Sequence, residues 1–579
     1  MTVVAAGAAG ASTLVGCKPE PEEQPVGYPQ GVASGDPRPA SVVIWTRVEA
    51  TVGEGGGPGD GEAQQVTYEL ALDEGFGQVV ALGEVVVDGS TDHTVRVKVT
   101  GLEAYTRYFY RFACQGVVSD TGRTLTAPAP DADVAVKLAV VYGQAYVGRY
   151  FHAWKVLLDQ DADVDFVLFL GDYVYEAERV AGASEPTEDR RLDLPDGMAV
   201  TGDFADGAVA VTLADYRTLY RTWRTDEHLQ RAHQRFPFIT VWDDHEFTND
   251  CWRDFANDFN GAEGEEHDPA RRAAATRAWY EYLPVDVDYN ADVGFPDDIR
   301  IYRSFRFGRH MELFLTDQRY YRDDHVIPEG PTDPEVGKTQ ENSIVGSRIL
   351  TIKDVFDLRE ADANPTMLGA TQRAWLVDQM TASTATWKVH GSATIVAQML
   401  LDLSPIETLP SMLQRRFYFK LDQWDGYRSE RAQLLADLAA VENVVVLTGD
   451  IHATYVSELH VDFDAPGTAP VAVEYIGPSI SSLSLKEQLT LAVETDPLLS
   501  LLGLQPQVEA VDDIFLDGNP HFQYANSRSY GYAIAEVARD QELRVTMVHL
   551  QDVVTSESTE PIERVRFRTV TGTNRIEVL

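Results

Sequence analysis

Acidic and imidazole side chains follow three apolar, β-branched segments, each of about strand length. The segments read VDFVLFLGDYVYE (164–176), FPFITVWDDHEFTND (236–250) and ENVVVLTGDIHATY (442–455). A buried strand of the parallel type needs no carboxylates, whereas open α/β sheets bind ligands beyond the carboxyl ends of their strands. We therefore predict that these three ends converge on one cluster of metal ions.

The side chains at these ends suit a metal cluster. They are Asp172, Tyr175, Asp243, Asp244, His245, Asn249, Asp450 and His452. Carboxylate, imidazole and amide oxygen suit Ca²⁺, Mn²⁺, Zn²⁺ or iron, and a tyrosinate favours ferric iron. A lone Gly-Asp is usually a turn with an Asp cap. The run WDDHE is different, because its three carboxylates, close together after a buried segment, repel one another unless a cation compensates them.

The chain has a large excess of acidic residues. Of its 579 residues, 91 are Asp or Glu and 48 are Lys or Arg, so the formal net charge is −43. Binding of nucleic acid by neutralisation of its phosphates needs basic patches, and this composition argues against such a partner. An acidic, hydrated surface suits a medium of high ionic strength, where screening weakens self-repulsion. The length allows two or more domains.

The first 28 residues have the composition of an export segment and a tether. Cys17 ends the run LVGC, which resembles the cleavage box of a bacterial lipoprotein, and small residues precede it. Residues 18–28 are rich in Pro and Glu, as flexible tethers are. The alternative is a flexible N-terminus with a chance cysteine. We predict an extracytoplasmic protein, in the cell envelope or secreted, with Cys17 as a candidate lipid anchor.

Two structural regions are predicted after this segment. Residues 29–128 contain short β-branched runs separated by turn residues, the pattern of a β-sandwich. Across residues 134–579, apolar strands alternate with helical patterns, which indicates an α/β domain. One helical pattern spans 213–235, and an insertion at about 179–211 is rich in Asp, Gly and Pro. We expect this insertion to form a rim or lid over the site.

Eight sequence blocks in a fixed order carry a resemblance to a known family. They are GDYVYE, DYRTLYRTWRTD (215–226), WDDHEFTND, RRAAATRAWYEYLPV (271–285), TDQRYYR (316–322), MLGATQRAWL (367–376), WDGYRSER (424–431) and TGDIHA. The chain thereby resembles the PhoD-type alkaline phosphatase/phosphodiesterase family of the calcineurin-like metallophosphoesterases. The resemblance implies an N-terminal fibronectin-III-like β-sandwich, with Tyr108 as its corner tyrosine, followed by a four-layer α/β/β/α domain.

The resemblance also suggests roles at the first two segment ends. Asp172 stands where the superfamily has a metal-bridging carboxylate, and Tyr175 stands where related phosphatases bind ferric iron. Asp244 takes the position of a metal-binding Asn in the superfamily's Gly-Asn-His-Asp/Glu block. His245 is then a proton donor to the leaving alkoxide or, alternatively, a metal ligand. Asn249 is a further metal ligand or, alternatively, a capping residue.

Two more pairs of residues have a spacing of two. In an extended segment this spacing points Asp450 and His452 to one face, and both are predicted metal ligands. By the same spacing Asp317 and Arg319 share a face. Arg319 is a candidate phosphate clamp, because its fork matches phosphate oxygens, and a structural Asp–Arg pair is the alternative. The predicted catalytic residues are His245, Asp243 and Arg319.

Gly143 departs from the family pattern. Family members commonly end the first strand of this region with Ser-Cys-Gln, in which the cysteine binds iron, whereas this chain has Tyr142-Gly143-Gln144. Glycine offers no ligand atom from a side chain. The departure puts iron in question, and Cys251 would have to reach in from a neighbouring loop to replace the thiolate.

The resemblance implies a metal-dependent hydrolase of phosphate monoesters, diesters or both, in which a metal-bound hydroxide or oxide attacks phosphorus. The metals that the resemblance implies are Ca²⁺ and Fe³⁺, with Mn²⁺ or Zn²⁺ as alternatives, and the implied substrate is a small phosphoester. We expect a monomer. One alternative is a phospholipase D-like phosphodiesterase. The other is a catalytically weakened, metal-binding module of the cell surface, because of Gly143.

Overall fold

The computed structural model describes most of the chain. The described residues are 2–4, 26–50, 63–180, 186–201, 205–256, 267–327, 345–465, 467–539, 541–556 and 561–579. Cys17 and most of the predicted export segment and tether lie outside them, so the lipid anchor stays a prediction. No helix in this described part of the chain combines the length and the apolar character needed to cross a membrane.

Short strands form the N-terminal region. They are β1 (Thr2–Val4), β2 (Val26–Gly27), β3 (Val32–Arg38), β4 (Ser41–Arg47), β5 (Glu49–Ala50), β6 (Gln64–Ala71), β7 (Val79–Val87), β8 (Thr94–Thr100), β9 (Arg107–Cys114), β10 (Val117–Val118) and β11 (Gly122–Leu125). β8, β4 and β3 lie in one sheet, and β10, β9, β6, β7 and β11 form another. Val42 and Ile44 of the first sheet pack with Tyr68 and Tyr110 of the second. The region is the predicted β-sandwich.

Tyr108 has the predicted role of corner tyrosine. Its side chain is buried, and its hydroxyl accepts a hydrogen bond from the backbone amide of Glu103 at 2.9 Å. A tyrosine hydroxyl bound to the backbone a few residues upstream is characteristic of corners in immunoglobulin-like sandwiches. The prediction made for this residue is confirmed.

The next region begins with alternating strands and helices. Its elements are β12 (Val136–Val141), α1 (His152–Gln160), β13 (Phe166–Leu170), β14 (Ala177–Val180), β15 (Met198–Thr201), β16 (Ala205–Val209), α2 (Leu213–Trp223), α3 (Glu227–Arg235), β17 (Pro237–Val241) and α4 (Pro269–Tyr282). The single helix predicted over 213–235 is two helices. The carboxylate of Asp226 caps α3 by accepting the backbone amides of His228 and Leu229, and this local bond interrupts the helix.

The predicted insertion contains a small sheet. Its strands β14, β16 and β15 pair antiparallel. The carboxylate of Glu178 accepts the backbone amides of Leu194 and Ala208, and so ties the far parts of the insertion to β14. These strands are not predicted from the sequence pattern, because most of their residues are small or polar.

The remaining elements complete the α/β region. They are β18 (Arg303–Phe307), β19 (Met311–Leu315), β20 (Leu350–Ile352), α5 (Lys353–Ala363), α6 (Gly369–Ala382), β21 (Trp387–Ser392), β22 (Leu400–Asp402), β23 (Arg416–Phe419), α7 (Arg428–Leu438), β24 (Val444–Thr448), β25 (Thr454–Leu459), β26 (Ala472–Ile476), α8 (Leu485–Thr495), α9 (Pro497–Leu502), α10 (Gln505–Glu509), α11 (Val511–Gly518), β27 (Phe522–Asn526), β28 (Tyr530–Ala538), β29 (Glu542–Leu550), β30 (Pro561–Val570) and β31 (Glu577–Val578).

Two large sheets pack face to face in this region. The first has the order β1-β8-β4-β3-β17-β13-β12-β28-β29-β30-β31, and the second has the order β18-β19-β21-β24-β26-β25-β27. Val445 and Leu447 of β24 lie in the core between the sheets, with Leu168 of β13. Val444 packs on the other side, with Leu376 of α6 and other helical residues. This alternation gives the predicted four layers, α/β/β/α.

The parallel register places the predicted ligands at one edge of the first sheet. Leu170 of β13 is the partner of Val241 of β17, so Asp172 and Asp243 follow their strands at the same level. β17 also pairs in parallel with β3 of the N-terminal region, where Phe238 is the partner of Gly35. The first sheet therefore runs continuously from the sandwich into the α/β region.

Candidate metal centre

Sharp backbone turns deliver the ligands beyond the strand ends. Gly171 has a φ of +100°, and a Cβ at this position would lie 2.5 Å from the Cβ of Asp243, so only glycine fits. Asp172 follows with a φ of 57°. Asp450 and His452 also have positive φ values, 66° and 53°. The prediction of an extended segment at 450–452 is therefore wrong, although both side chains still reach the site.

The ligand atoms form three groups, and within each group they lie within 4.8 Å of one another. The groups are Asp172, Asp244 and His245; Asp243, Asp244 and Asp450; and Asp244, Asp250 and Asp422. Asp244 belongs to all three groups and is thus the centre of the cluster. Asp250 and Asp422 are not among the ligands predicted from the sequence. Asp250 ends the WDDHEFTND block, which was a usable signal, whereas no feature of the sequence sets Asp422 apart.

His452 and Tyr175 adjoin Asp172. Nε2 of His452 lies 3.7 Å from Oδ2 of Asp172 and 3.2 Å from the hydroxyl of Tyr175. Nδ1 of His452 lies 2.8 Å from the carbonyl oxygen of Leu483, so a proton on Nδ1 leaves the Nε2 lone pair facing the cluster. Metal-binding histidines are commonly oriented in this way. Tyr175 donates a hydrogen bond to Oδ2 of Asp172 at 3.1 Å.

The cluster carries negative charge that it does not compensate itself. Oδ1 of Asp172 and Oδ2 of Asp243 are buried and accept no hydrogen bond from the described residues. Burial, together with the carboxylates of Asp244 and Asp450, raises the pKa of Asp172 to about 7, against the effect of His245. Burial also raises the pKa of Asp243 well above its usual value. Unpaired, buried carboxylate oxygens beside an imidazole fit one or more metal cations.

Arg319 lies among these carboxylates. Its guanidinium group is fully buried, donates to Asp243 and Asp422, and places Nη2 at 3.6 Å from both Asp244 and Asp450. The fork is thus engaged by carboxylates, and its use as a phosphate clamp stays a prediction. The alternative pair with Asp317 does not form, since that carboxylate accepts the backbone amides of Arg319 and Tyr320.

His245 is held by a glutamate that the sequence analysis missed. Nδ1 of His245 lies 2.7 Å from Oε2 of Glu176, and Oε1 of the same carboxylate accepts the backbone amide of Asn249 at 2.8 Å. Burial alone would lower the pKa of His245, but Glu176, Asp244 and Asp172 raise it well above its usual value. The signal for Glu176 was its place at the end of GDYVYE.

Glu246 fixes the backbone at both strand ends. Its carboxylate accepts the amides of Asp172 at 3.1 Å, Tyr173 at 2.7 Å and Asp243 at 2.8 Å. It therefore links the turn after β13 to the turn after β17 and sets the spacing of their ligands. Glu246 is not among the residues predicted from the sequence, although it follows His245 directly in the chain.

Ser482 fills the space next to Gly143. A Cβ built on Gly143 would lie 3.2 Å from Oγ of Ser482 and 3.6 Å from Cδ2 of His452, so a side chain here would border the cluster. The Ser482 hydroxyl forms a hydrogen bond with the hydroxyl of Tyr175. Sγ of Cys251 lies 3.8 Å from the carbonyl oxygen of Asp244, and no thiol belongs to the three ligand groups of described residues.

Comparison with known proteins agrees with this geometry. A family model described as PhoD-like phosphatase matches residues 138–547, and a second, for the N-terminal domain of PhoD-like phosphatases, matches residues 14–128. The chain is 32% identical over 504 residues to alkaline phosphatase D of Bacillus subtilis (strain 168). The match covers 86% of this chain and 73% of that protein.

Solved structures give the same result. A structure of PhoD superposes with a TM-score of 0.75 at 27% identity and covers 97% of this chain and 93% of that chain. The purple acid phosphatase PPD1 of yellow lupin (Lupinus luteus) superposes with a TM-score of 0.51 at 9% identity, over 94% of this chain and 74% of that chain, which shows a shared fold. The predicted family and fold class are confirmed. The chain belongs to the PhoD-like phosphatase family and is a phosphoric ester hydrolase.

Proposed function

We propose that the chain hydrolyses phosphate monoesters and diesters at a centre that holds more than one cation. The observation that carries the proposal is that three ligand groups share Asp244. One group also contains the unpaired oxygen of Asp172, and another contains that of Asp243. One cation cannot occupy all three groups, and neighbouring cations bridged by a carboxylate are typical of phosphoesterases.

The donor atoms suggest which ions bind. The groups around Asp243 and Asp422 offer carboxylate oxygens, the ligands that Ca²⁺ prefers. Asp172, Tyr175 and His452 offer oxygen, phenol and imidazole donors, a set that suits Fe³⁺. We therefore propose Ca²⁺ at the carboxylate groups and Fe³⁺ near Tyr175.

The protein's own groups prepare the substrate for reaction. Cations at such a centre activate a water molecule and neutralise charge on the phosphoryl oxygens. His245 is a fifth exposed and is held by Glu176, which favours a protonated imidazole at neutral pH. This supports His245 as the group that donates a proton to the leaving alkoxide rather than as a ligand, so that Asp172 and Asp244 hold the cation of that group. Arg319 keeps Asp243 oriented towards the cluster.

Activity and metal content test the proposal together. Protein purified without a chelator is assayed with p-nitrophenyl phosphate and bis(p-nitrophenyl) phosphate, and its metals are measured by elemental analysis. For the wild type we expect turnover of both esters and more than one metal ion per chain. For Asp172→Asn and Asp450→Asn we expect loss of turnover and loss of bound metal. A chain with full turnover in both variants, or with no bound metal, would contradict the proposal.

A second candidate is a metal-binding module with weakened activity. The observation that favours it is the lack of a thiol in the ligand groups of described residues, since Gly143 occupies the position next to Ser482. Bound metal without turnover of either ester would support this candidate over the enzyme.

A further inference from the structure

Three arginines line a cavity at the opposite end of the first sheet from the metal centre. The cavity has a volume of about 400 Å³ and is bordered by Arg107 of β9, Arg123 of β11, Arg235 at the end of α3, and residues 162–165 before β13. Pro237, the first residue of β17, also lines it. The cavity thus lies where the sandwich meets the amino ends of β13 and β17.

The strand pairing accounts for the convergence of two of these arginines. Leu125 of β11 is the antiparallel partner of Arg107, and Arg123 precedes Leu125 by two residues. Residues that are paired or two apart lie on one face of a sheet, so both guanidinium groups extend from the same face. α3 packs beside β11 and adds Arg235, whose backbone carbonyl accepts a hydrogen bond from Nε of Arg123 at 3.1 Å.

None of the three guanidinium groups forms an ion pair with a carboxylate of the described residues. Their hydrogen bonds to described residues go to backbone carbonyls, from Arg123 to Arg235 and from Arg235 to Ala162 at 3.3 Å. Nε of Arg235 is buried and has no partner among the described residues. The chain has 91 acidic and 48 basic side chains, and arginines elsewhere in the described residues, such as Arg217, Arg303 and Arg319, pair with carboxylates.

The carboxylates of the cavity do not balance this charge. Asp163 pairs with Lys137 at 2.6 Å, and Asp165 accepts the backbone amide of Lys137 at 3.0 Å. Of the two carboxylates that line the cavity, only Asp165 has no ion pair of its own with a described residue. Three arginines against this one carboxylate leave an excess of two positive charges. Burial and the neighbouring Arg235 and Arg107 lower the pKa of Arg123 to about 10, as expected for positive charge without compensation.

We propose that this cavity binds a phosphate-type oxyanion at a site separate from the metal centre. A dianion would compensate the two excess positive charges, and guanidinium forks match the oxygens of a tetrahedral anion. Asp165 and Asp172 stand at opposite ends of β13, so the two sites are separated by roughly 20 Å of strand and turn. The anion would join the sandwich, α3 and the start of β13.

Equilibrium binding of radiolabelled inorganic phosphate to the metal-loaded full chain tests the proposal. The variants are Arg107→Gln, whose side chain is exposed and makes no hydrogen bond to the described residues, and Arg123→Gln. The matched control is Arg566→Gln, an exposed strand residue on β30, four strands from β13. Inhibition of ester hydrolysis by phosphate reports the metal centre separately.

We expect wild type and Arg566→Gln to bind one more phosphate per chain than Arg107→Gln and Arg123→Gln, with an affinity that falls as salt is added. kcat/KM and the inhibition constant for phosphate should agree within about twofold in all four proteins, as for surface changes remote from the chemistry. Displacement of the additional phosphate by methylphosphonate would identify an organic phosphoryl group as an acceptable ligand, and failure to displace it would restrict the site to the free anion.

Phosphate binding with the wild-type stoichiometry and affinity in Arg107→Gln and Arg123→Gln would overturn the proposal. Because the inhibition constant is measured independently, this result would leave the assignment of the metal centre unchanged. Equal loss of phosphate binding in Arg566→Gln would also overturn it, since the effect would then be one of net charge alone.

Discussion

The two ends of β13 and β17 carry opposite uncompensated charges. Among the described residues, Asp172 and Asp243 at the carboxyl ends have buried oxygens without a partner, and Arg235 at the amino ends has a buried nitrogen without a partner. The carboxyl ends hold their ligands with an internal framework, because Glu246 accepts amides from both turns. No such framework of described residues supports the arginines. At the carboxyl ends a carboxylate ties the two turns together, whereas at the amino ends Arg123 and Arg235 donate only to backbone carbonyls among the described residues.

The largest expected effect is at the carboxyl end. Asp244→Asn should lower kcat/KM by at least about 10³-fold, equivalent to about 4 kcal/mol of transition-state stabilisation, because Asp244 belongs to all three ligand groups. Steady-state kinetics and elemental analysis measure the loss of rate and of metal. Asp163→Asn, an exposed carboxylate at the amino end of β13, is the matched control and should keep wild-type values. Equal losses in both variants would remove the distinction between the two ends.

A smaller effect is expected for the internal framework. Glu246→Gln replaces one accepting oxygen by an NH₂ group that faces a backbone amide, so at least one of the three hydrogen bonds becomes repulsive. We expect metal affinity and kcat/KM to fall by about 10- to 100-fold, as for residues that orient metal ligands. Metal titration followed by assay at saturating metal separates the two quantities. A variant with wild-type metal affinity would show that the strand ends keep their spacing without Glu246.

The smallest effect concerns a residue between the two ends. His233 of α3 stacks on Phe238 of β17, and its Nε2 lies 2.7 Å from the hydroxyl of Tyr173. Burial, and then Arg224, lower the pKa of His233 well below its usual value. Below a pH of about 6.5 the unfolded chain therefore binds a proton that the folded chain does not, and stability present above that pH is lost as the pH falls.

His233→Gln should make this acid-side loss shallower by up to about 1.4 kcal/mol per pH unit. Denaturant unfolding of wild type and variant at a series of pH values between 7 and 5 measures the slopes. The comparison uses the slopes and not the stability at pH 7, because a cavity or a new contact in the variant would shift its whole stability curve without changing the slope. Parallel curves would show that His233 does not titrate with unfolding.

The sequence predicted what is local along the chain. The strand ends at Asp172, Asp243 and Asp450 were visible because apolar runs stop at carboxylates, and strand polarity then fixes where they meet. The family blocks predicted the fold class. By contrast, the left-handed backbone at Asp450 and His452 depends on tertiary packing and defeated a rule that assumes an extended chain.

Features gathered from distant segments were not predicted. Asp422 joins the cluster from a loop with no pattern of its own, and Ser482 reaches the space beside Gly143 from more than 300 residues away. The arginine cavity combines β9, β11 and α3, none of which has an unusual composition. Such sites depend on contacts between elements, and a single sequence carries little information about those contacts.

The pairing of β3 with β17 has a consequence for how the chain can be divided. The amino end of β17 lies between β13 and β3, because Ser34 and Gly35 of β3 are the partners of Pro237 and Phe238. Detaching the N-terminal residues would turn the amino end of this interior strand into an open edge, and open edges recruit other chains. The N-terminal region is thus part of the same sheet as β13 and β17, the strands whose ends carry Asp172 and Asp243, rather than an appendage to it.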